Sequence, residues 1–250
     1  MSNDVVFGLH AVQSLFERAP ERVLELLIQK GRTDKRINAL VEQTRSQGAA
    51  VRFVERSRLD ARVEGVHQGI VARVSSAKVY REGDLEDMLE GLEEPPFLLI
   101  LDGVTDPHNL GACLRTADAA GVHAVITPKD KSASLNATAT KVACGAADHV
   151  PLVQVTNLAR TMTWLKERGI WMIGTAGESS GNIYQSDLKG PLALVMGAEG
   201  KGMRRLTRDH CDSLIFIPMA GSVSSLNVSV ATGVCLFEGV RQRSTTECLK

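Results

Sequence analysis

Residues 217–233, I-P-M-A-G-S-V-S-S-L-N-V-S-V-A-T-G, predict the fold around them. They follow an apolar run, residues 214–217, that is typical of a buried strand, and Pro218 ends that run. A loop of small, hydroxyl-bearing residues comes next, and an apolar helical pattern follows it. Strand, loop and helix in this order predict a pocket in which free N–H groups at a helix N-terminus meet a ligand. A plain connector before a capped helix is the alternative interpretation.

The helix after this loop is expected to begin at Ser225, whose hydroxyl can accept a hydrogen bond from the first turn. Its buried face is expected to carry the apolar residues that recur at helical spacing. These are Leu226, Val230, Val234 and Phe237.

The composition is that of a soluble globular protein, with 250 residues, 44% hydrophobic and 23% charged residues and no net charge. This length allows one large domain or two smaller ones. No apolar run is long enough to span a membrane, and the first residues, M-S-N-D-V-V-F-G, have no secretory-signal pattern. We therefore expect a cytoplasmic protein.

Cysteine and histidine spacing predicts no metal site. The 5 cysteines include no C-x-x-C pair, and the 6 histidines lack the spacing of metal ligands. We expect reduced thiols and no bound metal.

The sequence predicts two domains joined by an acidic linker. Residues 1–75 alternate short helices (8–18, 37–48 and a charged helical segment around Leu59) with strands (23–28, 51–54 and 69–74). Residues 76–96 are predicted to contain a short acidic helix and end in Pro95-Pro96, which suits a linker. The remaining domain, residues 97–250, is expected to bind the ligand.

Two features of the first domain have alternative interpretations. Its many basic residues form either a phosphate-binding surface or a solvated face, since acids are interleaved with them. The triplet His67-Gln68-Gly69 is either a turn with a hydrogen-bonded histidine or a ligand contact.

The second domain is expected to be an α/β fold with a parallel sheet covered on both faces. Apolar strand patterns at 97–101, 123–127, 150–155, 170–174, 192–196 and 214–217 alternate with helical patterns at 111–120, 136–144, 157–168, 203–208 and 225–241. Ligands in such folds bind beyond the carboxyl ends of the strands, so loops at those ends are candidate site segments.

Two further loops of this kind carry chemistry. Residues 101–121 hold Asn109 and also Arg115, which can point back toward the loop and forms either a structural salt bridge or a phosphate or RNA contact. Residues 192–203 hold Glu199 among glycines that match neither the dinucleotide nor the Walker pattern and are typical of a turn. The three loops predict a binding cleft without naming a reaction.

The same three loops resemble, in order, the three motifs of the SpoU/TrmH family of RNA ribose methyltransferases, in the SPOUT superfamily. The matching segments are N-L-G-A-C-L-R-T-A (109–117), L-V-M-G-A-E-G-K-G-M (194–203) and I-P-M-A-G-S-V-S-S-L-N-V-S-V-A (217–231). F-G-L-H-A-V (7–12) and H-Q-G (67–69) look like the L30e-like RNA substrate-binding domain found in several members. Lys201 departs from the pattern, because an acidic residue is expected there.

The resemblance implies a fold and a cofactor. It implies a C-terminal trefoil knot, although knots are very rare in proteins, and a homodimer with each active site at the subunit interface. It also implies S-adenosylmethionine (SAM) as cofactor. The cofactor-binding residues implied are Gly197, Gly200, Ile217, Met219 and Leu226.

Within the family, the resemblance is greatest to members that methylate a guanosine ribose 2′-oxygen in the peptidyl-transferase region of 23S rRNA. It implies 23S rRNA as substrate and Arg115 nearest the reacting ribose. Some descriptions make this arginine the general base, but a guanidinium that stays protonated is better suited to binding phosphate and stabilising an alkoxide. The residues implied to position the ribose and the RNA are Asn109, Glu199, Ser225 and Asn227.

Three other functions are alternatives. The same reaction on tRNA is disfavoured by the N-terminal domain, which tRNA-modifying members typically lack. A non-catalytic RNA-binding assembly factor is disfavoured by the intact motif residues. A dinucleotide-dependent oxidoreductase is disfavoured because no G-x-G-x-x-G follows the first strand.

Overall fold

The computed structural model describes residues 4–32, 34–63, 65–75 and 78–244. The chain divides into two compact units, with the division at residues 77 and 78. Each unit has its own sheet and its own buried core.

The first unit is built on a four-stranded sheet in the order β1-β4-β2-β3. Its strands are β1 (Asp4–Phe7), β2 (Val23–Gln29), β3 (Ala50–Val54) and β4 (Ile70–Val74), and its helices are α1 (Leu9–Arg18), α2 (Lys35–Ser46) and α3 (Arg56–Asp60). β2 and β3 are parallel, whereas β4 is antiparallel to both β1 and β2. The sequence predicted these elements except β1.

The two faces of this sheet are covered unequally. Apolar residues of α1 and α2, such as Phe16 and Leu40, pack against Leu26, Ile28 and Ile70 on one face. The other face has a small cluster of Leu27, Val54, Leu59 and Val71 beside α3. On that second face the buried carboxylate of Glu25 lies 2.7 Å from Arg52 and 3.3 Å from Arg73, so two basic side chains stand beside one acid.

The second unit is built on an eight-stranded sheet in the order β10-β12-β9-β11-β6-β7-β8-β5, and every pair of neighbouring strands is parallel. The strands are β5 (Val79–Tyr80), β6 (Phe97–Asp102), β7 (Ala124–Pro128), β8 (Leu152–Val155), β9 (Trp171–Thr175), β10 (Gly181–Asn182), β11 (Leu192–Gly197) and β12 (Ser213–Phe216). The helices are α4 (Glu82–Glu90), α5 (Pro107–Ala119), α6 (Ala137–Ala143), α7 (Leu158–Glu167), α8 (Arg205–Asp209) and α9 (Val228–Arg243). The predicted α/β fold with a parallel sheet is confirmed.

The central strands are continuous apolar runs because helices cover both of their faces. Every residue of β6 and β7 is buried, and so are the first five residues of β11. The short η-helices at Pro20–Arg22, Ala146–Asp148 and Ile183–Gln185 complete the connections. No helix within the described ranges is long and apolar enough to cross a membrane.

The segment expected to be a linker differs from that expectation. Val79–Tyr80 pairs with β8 at the edge of the large sheet, and Glu82–Glu90 packs on the same unit. Leu85 is buried, and Met88 and Leu89 pack with it against the core. The acids occupy the solvent face of an amphipathic helix, so the high charge concealed an apolar stripe.

The start of α9 and its buried face were predicted wrongly. The N-cap is Asn227, and Ser225 lies exposed in the preceding loop. The expected apolar face is largely outward, since Val230 is 52% exposed and Phe237 49%. The buried face runs on the opposite side, through Val228, Thr232, Cys235, Leu236 and Gly239. Apolar residues occur on both sides of α9, so periodicity alone could not choose between them.

Strand order places a crevice next to β6. The chain passes from β6 to β7 and β8 on one side, and β11, β9 and β12 lie on the other. Ligands in open parallel sheets bind at such a reversal, beyond the carboxyl ends of the strands. Gly197 at the end of β11 is in register with Asp102 at the end of β6, so the loops that follow these two strands begin side by side.

A glycine sets the distance between α5 and α6. A Cβ added at Gly111 would lie 2.5 Å from the Ala139 carbonyl oxygen and 2.8 Å from the Val142 Cβ. We expect Gly111→Ala to force α5 and α6 apart and to reduce the free energy of unfolding by about 1–3 kcal/mol, as overpacking does. Chemical denaturation measures this change.

Gly233→Ala is the matched control, because Gly233 is also inside a helix. Its added Cβ would meet the Thr116 Cγ2 at 3.6 Å, an ordinary contact, and the better helix propensity of alanine favours stability by up to about 1 kcal/mol. Equal losses in the two variants would contradict the close-contact explanation.

Candidate active site

Three side chains from three separate loops meet at the carboxyl edge of the large sheet. Asn109 Nδ2 donates to Glu199 Oε1 at 3.2 Å, and Asn227 Nδ2 donates to Asn109 Oδ1 at 3.1 Å. Asn227 Nδ2 also donates to Glu199 Oε1. We call Asn109, Glu199 and Asn227 the amide–carboxylate cluster. It joins the segments that follow β6, β11 and β12, the same three loops that the sequence analysis singled out.

Local sequence places Asn109 in the first turn of α5. The side chain of Asp106 caps this helix by accepting from His108 N at 2.9 Å, and Pro107 occupies the first helical position, where its missing N–H costs nothing. Asn109 therefore sits at the helix end that faces the crevice.

A tight loop presents Glu199. Ala198 and Gly202 exchange backbone hydrogen bonds of 3.1 and 2.9 Å, so the three residues between them form a closed turn. Gly200 at its tip has φ +71°, which favours glycine. A Cβ at Gly197 would lie 2.2 Å from Gly202 C, so the end of β11 admits no side chain there.

Asn227 has two roles at the start of α9. Its Oδ1 accepts from Ser229 N at 2.9 Å and from Ser229 Oγ at 2.6 Å, which caps the helix. Its Nδ2 makes the two bonds of the amide–carboxylate cluster. Val228 N also donates to Glu199 Oε1 at 3.5 Å, so the carboxylate lies at the positive end of α9.

A cavity of about 730 Å³ adjoins the cluster. All five residues expected to bind the cofactor line it, and Glu199, Ser225 and Asn227 line it as well. The five are Gly197, Gly200, Ile217, Met219 and Leu226. Ser225 has no part in capping α9, but it does face this cavity.

Of the residues expected in the site, Arg115 neither lines this cavity nor belongs to the amide–carboxylate cluster. It is exposed on α5, and its Nη1 lies 3.7 Å from Cys144 Sγ at the end of α6. Six residues after Asn109, it faces a different side of the helix, because six residues turn an α-helix by about one and two-thirds revolutions. Within the described ranges no carboxylate lies within ion-pair distance of it, so the salt-bridge alternative is wrong there.

Sequence reasoning gave no role to a polar pair in the cavity wall. Glu178 follows β9 in the segment T-A-G-E and pairs with Arg208. A backbone hydrogen bond at Glu178 and the Arg208 guanidinium hold the pKa of this carboxyl below its usual range. The only signal in the sequence was a polar loop after a buried strand.

A second ion pair that the sequence did not predict stabilises the Glu199 loop. Asp102, at the end of β6, is buried; it accepts from Arg204 N at 2.8 Å and lies 3.1 Å from Arg204 Nε. Arg204 is the N-cap of α8 and follows that loop closely, so the pair connects the end of the loop to β6.

The buried thiols near this site are not reactive groups. Burial raises the pKa of Cys113 to about 11 and that of Cys235 to about 12. In the parts of the chain that the structure describes, no group of three His, Cys, Asp or Glu side chains is placed to hold a metal. The absence of a metal cofactor stays a prediction.

His67, in the first unit, is a satisfied core histidine. It is 5% exposed, its Nδ1 accepts from Gly69 N at 2.9 Å, and its Nε2 lies 2.8 Å from Asp60 Oδ1. The neighbouring Gln68 accepts from Leu9 N at 2.9 Å. The H-Q-G segment thus forms a structural turn, the first of its two interpretations.

Two family models match the chain, and both describe RNA methyltransferases. Residues 96–237 match the SpoU rRNA Methylase family, and residues 5–80 match the family described as RNA 2′-O ribose methyltransferase substrate binding. The chain therefore belongs to the SpoU methylase family, as the three motifs predicted.

Individual relatives and one solved structure show which members of the family the chain resembles. The chain is 66% identical over 243 residues to the 23S rRNA (guanosine-2′-O-)-methyltransferase RlmB of Escherichia coli K12, covering 97% of this chain and 100% of that one. It is 63% identical over 244 residues to the RlmB of Photorhabdus laumondii, with coverage of 97% and 100%. The SpoU methyltransferase AviRb of Streptomyces viridochromogenes, solved in complex with AdoMet, superimposes with a TM-score of 0.77 at 26% identity, covering 96% and 90%.

The contacts of Glu199 yield a prediction about stability. Glu199→Ala removes the acceptor of Asn109, Asn227 and Val228, so we expect a loss of about 0.5–1.5 kcal/mol in unfolding free energy, the usual net value of a hydrogen bond. Glu199→Gln keeps one accepting oxygen and should stay within about 0.5 kcal/mol of the parent chain. Thermal unfolding at pH 7 compares the two variants. Identical losses of stability would contradict the role of the accepting oxygen.

Proposed function

We propose that this protein transfers a methyl group from SAM to the ribose 2′-oxygen of a guanosine in 23S rRNA. The observation that carries the proposal is the amide–carboxylate cluster beside a cavity lined by all five expected cofactor positions, in a chain 66% identical to an RlmB. The family's finer substrate, a guanosine of the peptidyl-transferase region, is part of the proposal.

The cavity fits SAM in size and in chemistry. Its volume of about 730 Å³ lies in the range of small-molecule sites. Ile217, Met219 and Leu226 offer apolar surface for a ring, and the turn at Gly197 and Gly200 brings backbone close to the ligand without side chains in between. Glu178 and Arg208 add charged groups for the polar end of an amino acid.

Bound SAM supplies a methyl group already activated by a sulfonium charge. The protein's own residues have the tasks of orienting the ribose hydroxyl and excluding competing water. Asn109 and Asn227 are fixed by the carboxylate of Glu199, so their amide groups are held in one orientation at the cavity mouth. The Ser225 hydroxyl lines the same cavity and can hydrogen-bond to the ribose.

Arg115 is proposed to hold the RNA rather than to accept a proton. A guanidinium does not deprotonate in proteins, and this one has no carboxylate within ion-pair distance in the described ranges. Its charge is therefore available for the phosphate next to the target ribose and for the alkoxide that forms as the hydroxyl proton leaves.

The active enzyme is proposed to be a homodimer. Val230 and Phe237 form an exposed apolar stripe on α9, whose other side is already buried. A helix that is apolar on both sides is suited to a second contact. A site shared between two subunits also accounts for Arg115 lying outside the cavity of its own subunit. The trefoil knot is likewise proposed from the family.

The first unit is proposed to hold the RNA substrate, in a cytoplasmic reaction that needs no metal. Most of the match to the substrate-binding family, residues 5–80, lies in this unit, and the unit's second sheet face carries Arg52 and Arg73. Basic groups on a small α/β domain are suited to the RNA backbone.

Methyl transfer can be tested directly. Purified protein is incubated with methyl-labelled SAM and unmodified 23S rRNA or tRNA, and the product is mapped by nucleotide. We expect a 2′-O-methylguanosine in 23S rRNA and no label in tRNA. Label in tRNA alone, or SAM binding without transfer to either RNA, would overturn the proposal.

The role of Arg115 can be separated from cofactor binding. Arg115→Ala should lower kcat by about 10²–10³-fold, the cost of losing one group that stabilises developing charge, and should change the Kd of SAM less than twofold. Arg205→Ala is the control, because the Arg205 side chain is 95% exposed and lies on α8, outside the cavity lining. Equal losses of SAM binding and turnover in Arg115→Ala would contradict this role.

A further inference from the structure

A second groove lies on the same edge of the large sheet as the candidate active site. It is about 660 Å³ in volume and lies at the carboxyl ends of β5, β8 and β7. Its lining combines the apolar Val79 with polar and charged residues, which include Tyr80, Arg81, Lys129, Gln154 and Thr156. None of these residues belongs to the candidate active site. We call this the flank groove.

In residues 78–84 and 129–131, the flank groove and its adjoining segments carry four exposed cations and one exposed carboxylate, that of Asp130. Arg81 and Lys129 in its wall, and Lys78 and Lys131 in the adjoining segments, are exposed. Within the described residues, no carboxylate lies within ion-pair distance of any of the four. The Lys78 ammonium lies 4.1 Å from the centre of the Tyr80 ring, which places an aromatic face beside a cation.

The acid in the groove is already neutralised. Glu82 Oε2 accepts from Arg160 Nη2 at 2.8 Å, and Glu82 Oε1 accepts from Thr156 N at 3.1 Å. Its charge is therefore shared with Arg160 and does not cancel the free cations. A polyanion at this groove meets a positive surface with neutral hydrogen-bonding groups from Gln154 and Thr156.

The flank groove is close enough to the active site for one RNA segment to reach both. β7 is next to β6, and the loop that follows Lys129 contacts the loop after β6, since Ala133 N donates to Val104 O at 2.8 Å. A strand spacing of about 4.8 Å places β8 about 10 Å and β5 about 15 Å from β6. All three loops leave from carboxyl ends and so lie at one edge of the sheet.

Charge is distributed differently toward the amino end of β6. The helix α4 starts at the flank groove, and its later turns and the loop that follows carry acids. These include Asp87, Glu90, Glu93 and Glu94, of which Glu94 lies 2.9 Å from His123, just before β7. A polyanion is thus attracted to the carboxyl edge and repelled near the entry to β6 and β7.

We propose that the flank groove binds the phosphate backbone of the RNA strand next to the methylated nucleotide, with Lys129 and Arg81 as its main contacts. The identity of this RNA as 23S rRNA rests on the proposed function. The groove contacts phosphate and not bases, so it fixes the position of the strand without reading its sequence.

The test compares Lys129→Glu with Lys189→Glu. Lys189 is also an exposed lysine of the second unit with no ion pair in the described residues, but it lies before β11, at the amino edge of the sheet. The two variants change net charge equally. The probe is an unmodified 23S rRNA transcript, whose Kd is measured by filter binding over a range of salt concentrations.

We expect Lys129→Glu to raise the Kd about tenfold and to reduce the slope of log Kd against log salt by about 0.7 to 0.9, as the loss of one phosphate contact does. Lys189→Glu should change the Kd less than twofold. Lys129→Arg should bind the RNA with the Kd of the parent chain, since it keeps the positive charge. In turnover assays, Lys129→Glu should raise the KM for RNA and leave kcat and the Kd of SAM unchanged.

Two results would overturn the proposal: equal weakening by the two charge reversals, which indicates bulk attraction only, or no change in Kd and salt slope with Lys129→Glu. The binding assay needs no methyl transfer. If the parent chain binds 23S rRNA but methylates none, the proposed function fails, and the comparison of Lys129→Glu with Lys189→Glu still decides the role of the groove.

Discussion

The hydrogen bonds that Glu199 accepts are the interaction on which the site depends. One carboxylate oxygen is shared by Asn109, Asn227 and the first N–H of α9, so three loops distant in sequence are tied at one point. The same residues also belong to the helix starts, because Asn227 caps α9 and Asn109 lies in the capped first turn of α5. Each helix start is thereby oriented by the same contacts that shape the cavity mouth. Loss of the carboxylate would remove the acceptor that the two helix starts share, although each helix keeps its own cap.

Parallel strands explain why those loops can meet at all. All strands of the large sheet end on one edge, and the β6–β11 register sets Asp102 beside Gly197. The buried Asp102 then holds Arg204, so the Glu199 loop is fixed at its entry by a glycine with no room for a side chain and at its exit by an ion pair. The flank groove lies on the same edge, at the ends of the strands one, two and three positions away from β6. The parallel arrangement thus accounts for both the cavity proposed to bind the cofactor and the proposed phosphate contact, although the two share no residue.

Much of this arrangement was predictable from the sequence, because fully buried parallel strands are continuous apolar runs and their positions can be read directly. The loops at their ends, with Asn109 and Glu199, were predictable for the same reason, whereas Asn227 was implied only by the resemblance to the SpoU/TrmH family. Features that depend on tertiary choice were not predictable. The apolar side of α4, which contains Leu85, was hidden in the sequence by the many acids around it. The helix α9 has apolar residues on both sides, so only the packing shows which side is buried. The direction of Arg115 depends on the rotation of α5, and Gly111 fixes how closely α6 approaches that helix.

The two-sided character of α9 has a thermodynamic consequence. The first residue of α9 donates to Glu199, and its N-cap belongs to the amide–carboxylate cluster. Val230 and Phe237 lie exposed on the same helix. In the proposed homodimer, every contact that holds the outer side of α9 also favours the orientation of its N-terminus. Association and ordering of the site are then linked equilibria, and the free energy of one adds to the other. Dilution below the dimer's dissociation constant therefore acts on catalysis as an inhibitor would, without any molecule entering the cavity.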